Sequence, residues 1–198
     1  PAIRDVIGGL VSDIPWQARI GELSGGQRRR VALAALLVGD WDRHDDQWAW
    51  AEVHLPDGSK VFRPIPRDRD QAMSRYDGFA TKLVRSSMPF LRQLQVYGPV
   101  IASRKWNTWS ARLFDRSFLN ELDWSQWQAQ VAYVQQHLTD SAIEAAFAAW
   151  PDTVRQLTAE HIKASLNARK ADLASIAETH YQFINHTVTI VGSDESER

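Results

Sequence analysis

The strongest constraint on how this chain can fold lies between Gly39 and Gln71, in GDWDRHDDQWAWAEVHLPDGSKVFRPIPRDRDQ. Asp40, Asp42, Asp45 and Asp46 form an acidic cluster at its start, and Asp68 and Asp70 form a second one at its end. Between them, WAWAEVHL and KVFRPI alternate apolar and polar residues on either side of Pro56-Asp57-Gly58. Two period-2 runs joined by a turn tripeptide predict a β-hairpin over about 48–65. A hairpin brings the chain back to its starting end, so the two acidic clusters are expected to meet in space. Carboxylates held together repel unless a cation or a basic group lies among them. The expectation is a metal-phosphate site.

The first cluster has an order of its own. In Asp42-Arg43-His44-Asp45-Asp46-Gln47 a carboxylate is followed five residues later by a side-chain amide. That is the spacing of a phosphotransferase catalytic loop, in which the Asp accepts the proton of the substrate hydroxyl and the amide oxygen holds a metal ion. Asp42 is then the base and Gln47 a metal ligand. Asp68 and Asp70 project to the same side of an extended segment and complete the metal set. Oxygen-only ligands suit Mg²⁺, Mn²⁺ or Ca²⁺. Arg43 either orients a phosphate or neutralises Asp40 and Asp46, and His44 is either a structural hydrogen-bonding residue or a base. The plainer reading makes these charges a solvated loop paired with Arg43, Arg67 and Arg69.

The rest of the chain reads as helices. Ser24 stands in a capping position before Val31, Leu33, Ala34, Leu37 and Val38, which recur at helical intervals until Gly39, and this predicts a helix over 25–38. Residues 66–79 read as loop, and 80–97 carry an amphipathic pattern (Leu83, Met88, Leu91, Leu94) interrupted by Pro89. A helix over 112–122 is expected to set Leu113, Phe114, Phe118 and Leu122 on one side, with Asp115 and Arg116 as an ion pair between helices. Asp123 caps a helix running to His137, and Thr139 caps another that Pro151 ends. One long helix is expected from Thr158 to Asn185, then a short strand at 188–191. Trp41, Trp48 and Trp50 are read as packing residues. The fold class is α+β and mostly helical: a hairpin followed by a helical body. Residues 1–35 form a segment separate from a domain over 36–198.

Composition narrows the partners. Net charge is −1, so the overall balance implies neither a nucleic-acid nor a membrane partner. There is no cysteine, which removes disulfides and thiolate metal sites. No apolar run is long enough for a transmembrane segment. The start without Met and the end in SDESER suggest a piece of a longer chain.

Three resemblances follow from these residues. LSGGQRRRVALA, residues 23–34, resembles the signature motif of ATP-binding-cassette ATPases, which implies that Ser24, Gly25 and Gly26 open a helix facing a nucleotide phosphate. No G-x-x-x-x-G-K-[ST] accompanies it. GDWDRHDDQW followed by FRPIPRDRDQAM resembles the spore-coat kinase CotH and other kinases with Asp-Arg-His in the catalytic loop. That resemblance implies the C-terminal lobe of a protein-kinase-like fold, ATP with Mg²⁺ or Mn²⁺, and an unknown phosphate acceptor. Gln47 stands where Asn is usual, and the 35 residues upstream do not supply the N-terminal lobe that a kinase needs. Finally, five blocks over residues 36–198 resemble a segment of large bacterial envelope proteins: LLVGDWDRHDDQWAW, FRPIPRDRDQAMSRYDG, ARLFDRSFLNEL, LTDSAIEAAFAAWP and VTIVGSDESER. In those proteins it accompanies a metallophosphoesterase and an outer-membrane barrel, which implies a periplasmic or surface location. The readings carried forward are a metal-dependent phosphotransferase module, a non-catalytic interaction module of an envelope protein, and a fragment of a cassette ATPase.

Overall fold

The computed structural model describes residues 25–54, 60–66, 68, 70–119 and 123–187, and the body they build is mostly helical. In chain order the described elements begin with helix α1 (Gly25–Val38) and strands β1 (Trp48–His54) and β2 (Lys60–Pro66). Then come α2 (Phe79–Ser87), a 3₁₀ turn (Pro89–Gln93), α3 (Arg104–Asn107) and α4 (Arg112–Leu119). The chain continues with α5 (Trp124–His137), α6 (Asp140–Ala148), α7 (Asp152–Ala171) and α8 (Leu173–Asn185).

The body is wrapped around α1. Every residue from Ala32 to Val38 is buried, so the helix is apolar around its whole circumference rather than along one stripe. Such a helix has to be enclosed, and α4, α5, α7 and α8 all pack against it. Trp127, Val131 and Val134 come from α5, Ile162 and Leu166 from α7, and Leu173, Ile176 and Ile184 from α8, all buried in one continuous cluster with α1. Even the polar start of α1 is drawn in. Arg29 is buried, with its guanidinium donating to the side chain of Gln126, and the Arg30 guanidinium stacks 4.3 Å over the Tyr133 ring.

The local caps hold where the sequence puts them. Asp123 accepts from the backbone N–H of Gln126 at the start of α5, and Thr139 accepts from that of Ala142 at the start of α6. Two expectations are corrected. The helix expected over 158–185 starts earlier and is two helices, because Asp172 leaves helical geometry (φ −88°, ψ 5°) between α7 and α8. Arg104 braces that joint, donating to the Asp172 carboxylate (2.5 Å), the Ser175 carbonyl (2.9 Å) and the Thr179 hydroxyl (3.1 Å). At α4 the inward positions are Ala111, just before the helix, then Asp115 and Leu119, one turn apart, while Leu113 is exposed, so the inward side carries a buried carboxylate. Of the amphipathic stretch over 80–97, α2 and the 3₁₀ turn contain no buried residue, and only its end, at Tyr97, enters the core.

β1 and β2 pair antiparallel, with Trp48 opposite Pro66 and His54 opposite Lys60. The open end of this ribbon therefore lies at Trp48 and Pro66, directly after the Asp45–Gln47 turn. The turn tripeptide Pro56-Asp57-Gly58, the cap residue Ser24, Leu122 and the strand expected at 188–191 lie outside the described residues.

Candidate functional site

The acidic loop is positioned by the way α1 ends. Gly39 takes φ +68°, a left-handed conformation that glycine adopts freely. Its N–H bonds to the Leu36 carbonyl (3.3 Å) and that of Asp40 to the Ala35 carbonyl (3.0 Å), the paired bonds of a Schellman cap. The last carbonyls of the helix point into the body and are met there. Tyr97 Oη donates to Leu37 O (3.1 Å), Met73 N to Val38 O (2.8 Å), and Arg169 Nη1 to both Leu36 O and Leu37 O (3.3 Å each). Arg169 is itself buried, lies 4.1 Å over the Tyr97 ring and donates through Nε to Gly98 O (2.7 Å). Burial pushes its pKa down, and the negative end of α1 supplies part of what the cation loses with water. A Cβ on Gly39 would stand 3.0 Å from both Arg169 Nη1 and the Tyr97 ring, so the site requires glycine for space as well as for φ.

A second buried anchor holds the loop three residues on. The Arg43 guanidinium forks onto Asp115, Nη1 to Oδ1 at 3.2 Å and Nη2 to Oδ2 at 3.0 Å, while Nε donates to Asp40 O at 3.2 Å. His180 Nε2 lies 3.2 Å from the same Oδ2. All three side chains are almost wholly buried. Burial alone would raise the Asp115 pKa; the facing Arg43 and His180 outweigh it and hold the carboxyl below its ordinary value. This corrects two readings. Asp115 pairs with Arg43 rather than with Arg116, whose guanidinium instead donates to the carbonyls of Ile184 (3.2 Å) and Phe183 (3.4 Å). Arg43, read as either orienting a phosphate or neutralising Asp40 and Asp46, points into the core and has Asp115 as its carboxylate partner.

Between these anchors Asp42 remains half-buried. Gln47 Nε2 donates to its Oδ2 (3.0 Å), and His44 Nε2 stands 3.2 Å from its Oδ1. His44 Nδ1 is 3.8 Å from Asp46, so the histidine bridges two carboxylates of the loop. Gln47 presents its amide nitrogen to Asp42, where a metal-binding role asks for its oxygen. Across the ribbon end Asp68 and Asp70 are exposed. Asp68 Oδ1 accepts from Asp70 N (3.1 Å), an Asx turn, and Asp70 Oδ1 accepts from Gln71 Nε2 (2.6 Å). The Gln71 side chain in turn accepts from the Tyr76 hydroxyl, whose ring meets Trp41 edge-on at 6.4 Å between centroids. Burial pushes the Tyr76 pKa up, and the negative charges of both Asp70 and Asp42 push it the same way. One phenol thus feels a carboxylate from each cluster. A cleft of about 10 Å³ beside Trp41, Gln71 and Ser74 has room for roughly one water molecule.

Among the described residues no three His, Asp or Glu side chains are grouped so as to hold a metal ion. Of the cassette-signature residues, Ser24 lies outside the described set, and Gly25 and Gly26 open α1. A Cβ on Gly26 would stand 2.9 Å from Gln130 Nε2, so this glycine faces the side of α5.

One surface was missed in the motifs. α2 carries Phe79, Leu83 and Val84 in the open (84%, 57% and 39% exposed), and Met88 and Phe90 continue the patch (46% and 61%). The signal for it lay in charge order: between Asp77 and Asp115 there is no Asp or Glu, but there are six cations, Lys82, Arg85, Arg92, Arg104, Lys105 and Arg112. No helix among the described residues is long and apolar enough to cross a membrane.

Comparison of the chain with protein-family models, with curated proteins and with solved structures finds no match.

Proposed function

We propose that this chain is a non-catalytic interaction module, a packed helical body that presents the apolar and basic segment Phe79–Gln93 to a partner. The observation that carries the reading is that α2 and the turn after it contribute no residue to the core while exposing five large apolar side chains. Contiguous exposed apolar surface on a folded body marks contact with something else. The acidic loop fits the same reading, since Asp42 is engaged by Gln47 and His44 and the Arg43 guanidinium is committed to Asp115. The five-block resemblance to envelope proteins supports placing such a module in a bacterial envelope, beside a phosphoesterase or barrel domain. A fluorescent apolar dye such as anilinonaphthalene sulfonate tests it: the folded chain binds the dye, and Phe79→Ser with Leu83→Ser and Phe90→Ser removes that binding. A folded chain that binds no dye overturns the reading.

A second reading keeps the loop as a metal-dependent phosphotransferase site in a kinase C-terminal-lobe-like body. It is favoured by the ribbon register and by Tyr76, whose ring meets Trp41 beside Asp42 and whose hydroxyl donates to Gln71, the partner of Asp70. In it Asp42 is the base, and Gln47, Asp68 and Asp70 hold Mg²⁺ or Mn²⁺ for ATP. Calorimetric titration of ATP with and without Mn²⁺ decides between the two. The interaction module gives no metal-dependent heat, whereas the phosphotransferase gives heat that Asp42→Ala and Asp70→Ala each abolish. The cassette-ATPase reading has less behind it, because Gly26 fits as a close-packing residue of α1.

A further inference from the structure

We infer that the Phe79–Gln93 segment docks on an anionic lipid surface, lying in the headgroup region rather than spanning the bilayer; this rests on the interaction-module reading and names its partner. Three features converge on it. Phe79 and Leu83 stand one turn apart on α2, and Met88 and Phe90 follow within seven residues, all of them exposed. An amphipathic helix whose apolar side is not enclosed by its own protein buries it at a membrane interface when its polar side is cationic. Here the polar side is cationic only. Lys82 is exposed on α2, Arg85 and Arg92 follow, and along the sequence no Asp or Glu occurs between Asp77 and Asp115, although Arg104 within that stretch is paired with Asp172 and Arg85 donates to the Leu94 carbonyl. Behind the patch, Trp106 and Trp109 lie under cations, with Arg92 5.8 Å from the first ring centroid, and Lys105 (5.6 Å) and Arg112 (4.2 Å) from the second. Amphipathic indole rings beside basic side chains suit the headgroup layer.

Charge and shape weigh against the other occupants. A second copy meeting this face across a two-fold axis would set the same cations against themselves. A nucleic acid would use the positive charge and the rings, but the aliphatic Leu83, Val84 and Met88 offer no face on which bases stack. Anionic lipid satisfies both the apolar and the cationic groups, at roughly 1 kcal/mol per basic side chain near the surface.

The test is co-sedimentation of the full 198-residue chain with two kinds of vesicle. One is phosphatidylcholine alone and the other contains about a third phosphatidylglycerol. The chain is expected to sediment with the anionic vesicles and to be released by salt. Phe79→Ser with Leu83→Ser and Phe90→Ser, all at exposed positions, is expected to abolish binding and to leave the circular dichroism unchanged. Lys82→Glu is expected to weaken it by roughly tenfold. Equal binding to both vesicles, no binding, or unchanged binding by the triple variant each overturns the lipid proposal. If dye binding persists while vesicle binding fails, the face is real and its partner is an acidic protein. If the dye fails as well, the interaction reading falls with it. A concentration-dependent dimer that the triple variant abolishes would assign the face to a second copy and overturn the lipid proposal too.

Discussion

α1 and α2 are both short helices entered through glycine and rich in leucine, valine or phenylalanine, yet the fold treats them in opposite ways. α1 is closed in by four other helices, and its seven residues from Ala32 to Val38 are all buried. Around it even charge is internalised, as in Arg29, Arg169 and the Arg43–Asp115 pair. α2 touches chiefly the 3₁₀ turn that follows it, buries nothing, and keeps its cations outside. The difference lies in the partners that the sequence supplies, not in the apolar content of the helix. α1 is apolar all round and meets apolar faces on α5, α7 and α8, whereas α2 has one apolar side and no element of the described body to receive it. No described element covers that side, and the proposal above assigns it to a partner.

The comparison can be broken most sharply at the buried ion pair. Asp115→Ala would leave Arg43 buried without its carboxylate and should cost about 3–5 kcal/mol in denaturant unfolding. Removing both charges together, Asp115→Leu with Arg43→Met, should restore most of that loss. The pair also sets a pH dependence. Because the folded-state pKa of Asp115 lies below its ordinary value of 3.8, its contribution to stability is complete above that pH and is lost as pH falls below it. Acid unfolding of Asp115→Asn should therefore be shallower than that of the parent in this window. Next in size is Leu37→Ala inside α1, expected to cost about 2–5 kcal/mol. Gly39→Ala should cost about 1–2 kcal/mol from its left-handed φ alone, with more from the approach to Arg169 and Tyr97. Leu83→Ala in α2, the same chemical change as Leu37→Ala, should move stability by no more than about 0.5 kcal/mol. If the two leucine variants lost equal stability, α2 would be packed after all.

What could be read from the chain beforehand was what is local. The span of α1, the caps at Asp123 and Thr139 and the stop at Gly39 depend on residues three or four apart, and each appears where the spacing puts it. What could not be read was distant pairing. Arg43 and Asp115 are 72 positions apart, and Arg169 reaches Leu36 from 133 positions away, so no window of the sequence sets them together. Arg43 therefore looked like a loop group free to meet a phosphate, and Asp115 like the partner of its neighbour Arg116. The long C-terminal helix was misjudged for a related reason: Asp172 is tolerable in a helix by propensity, and the break is held by Arg104 from elsewhere in the chain. The amphipathic pattern of α2 was visible, but periodicity reports that a side is apolar and not whether anything covers it.

Native-state amide hydrogen exchange on the full chain tests this contrast most directly. The amides of Leu33–Val38 in α1 should exchange only through global unfolding, while those of Lys82–Ser87 in α2 should exchange through local opening at far lower free energy. Equal, global-level protection in both helices would mean that α2 is enclosed in the free protein, and it would contradict the account.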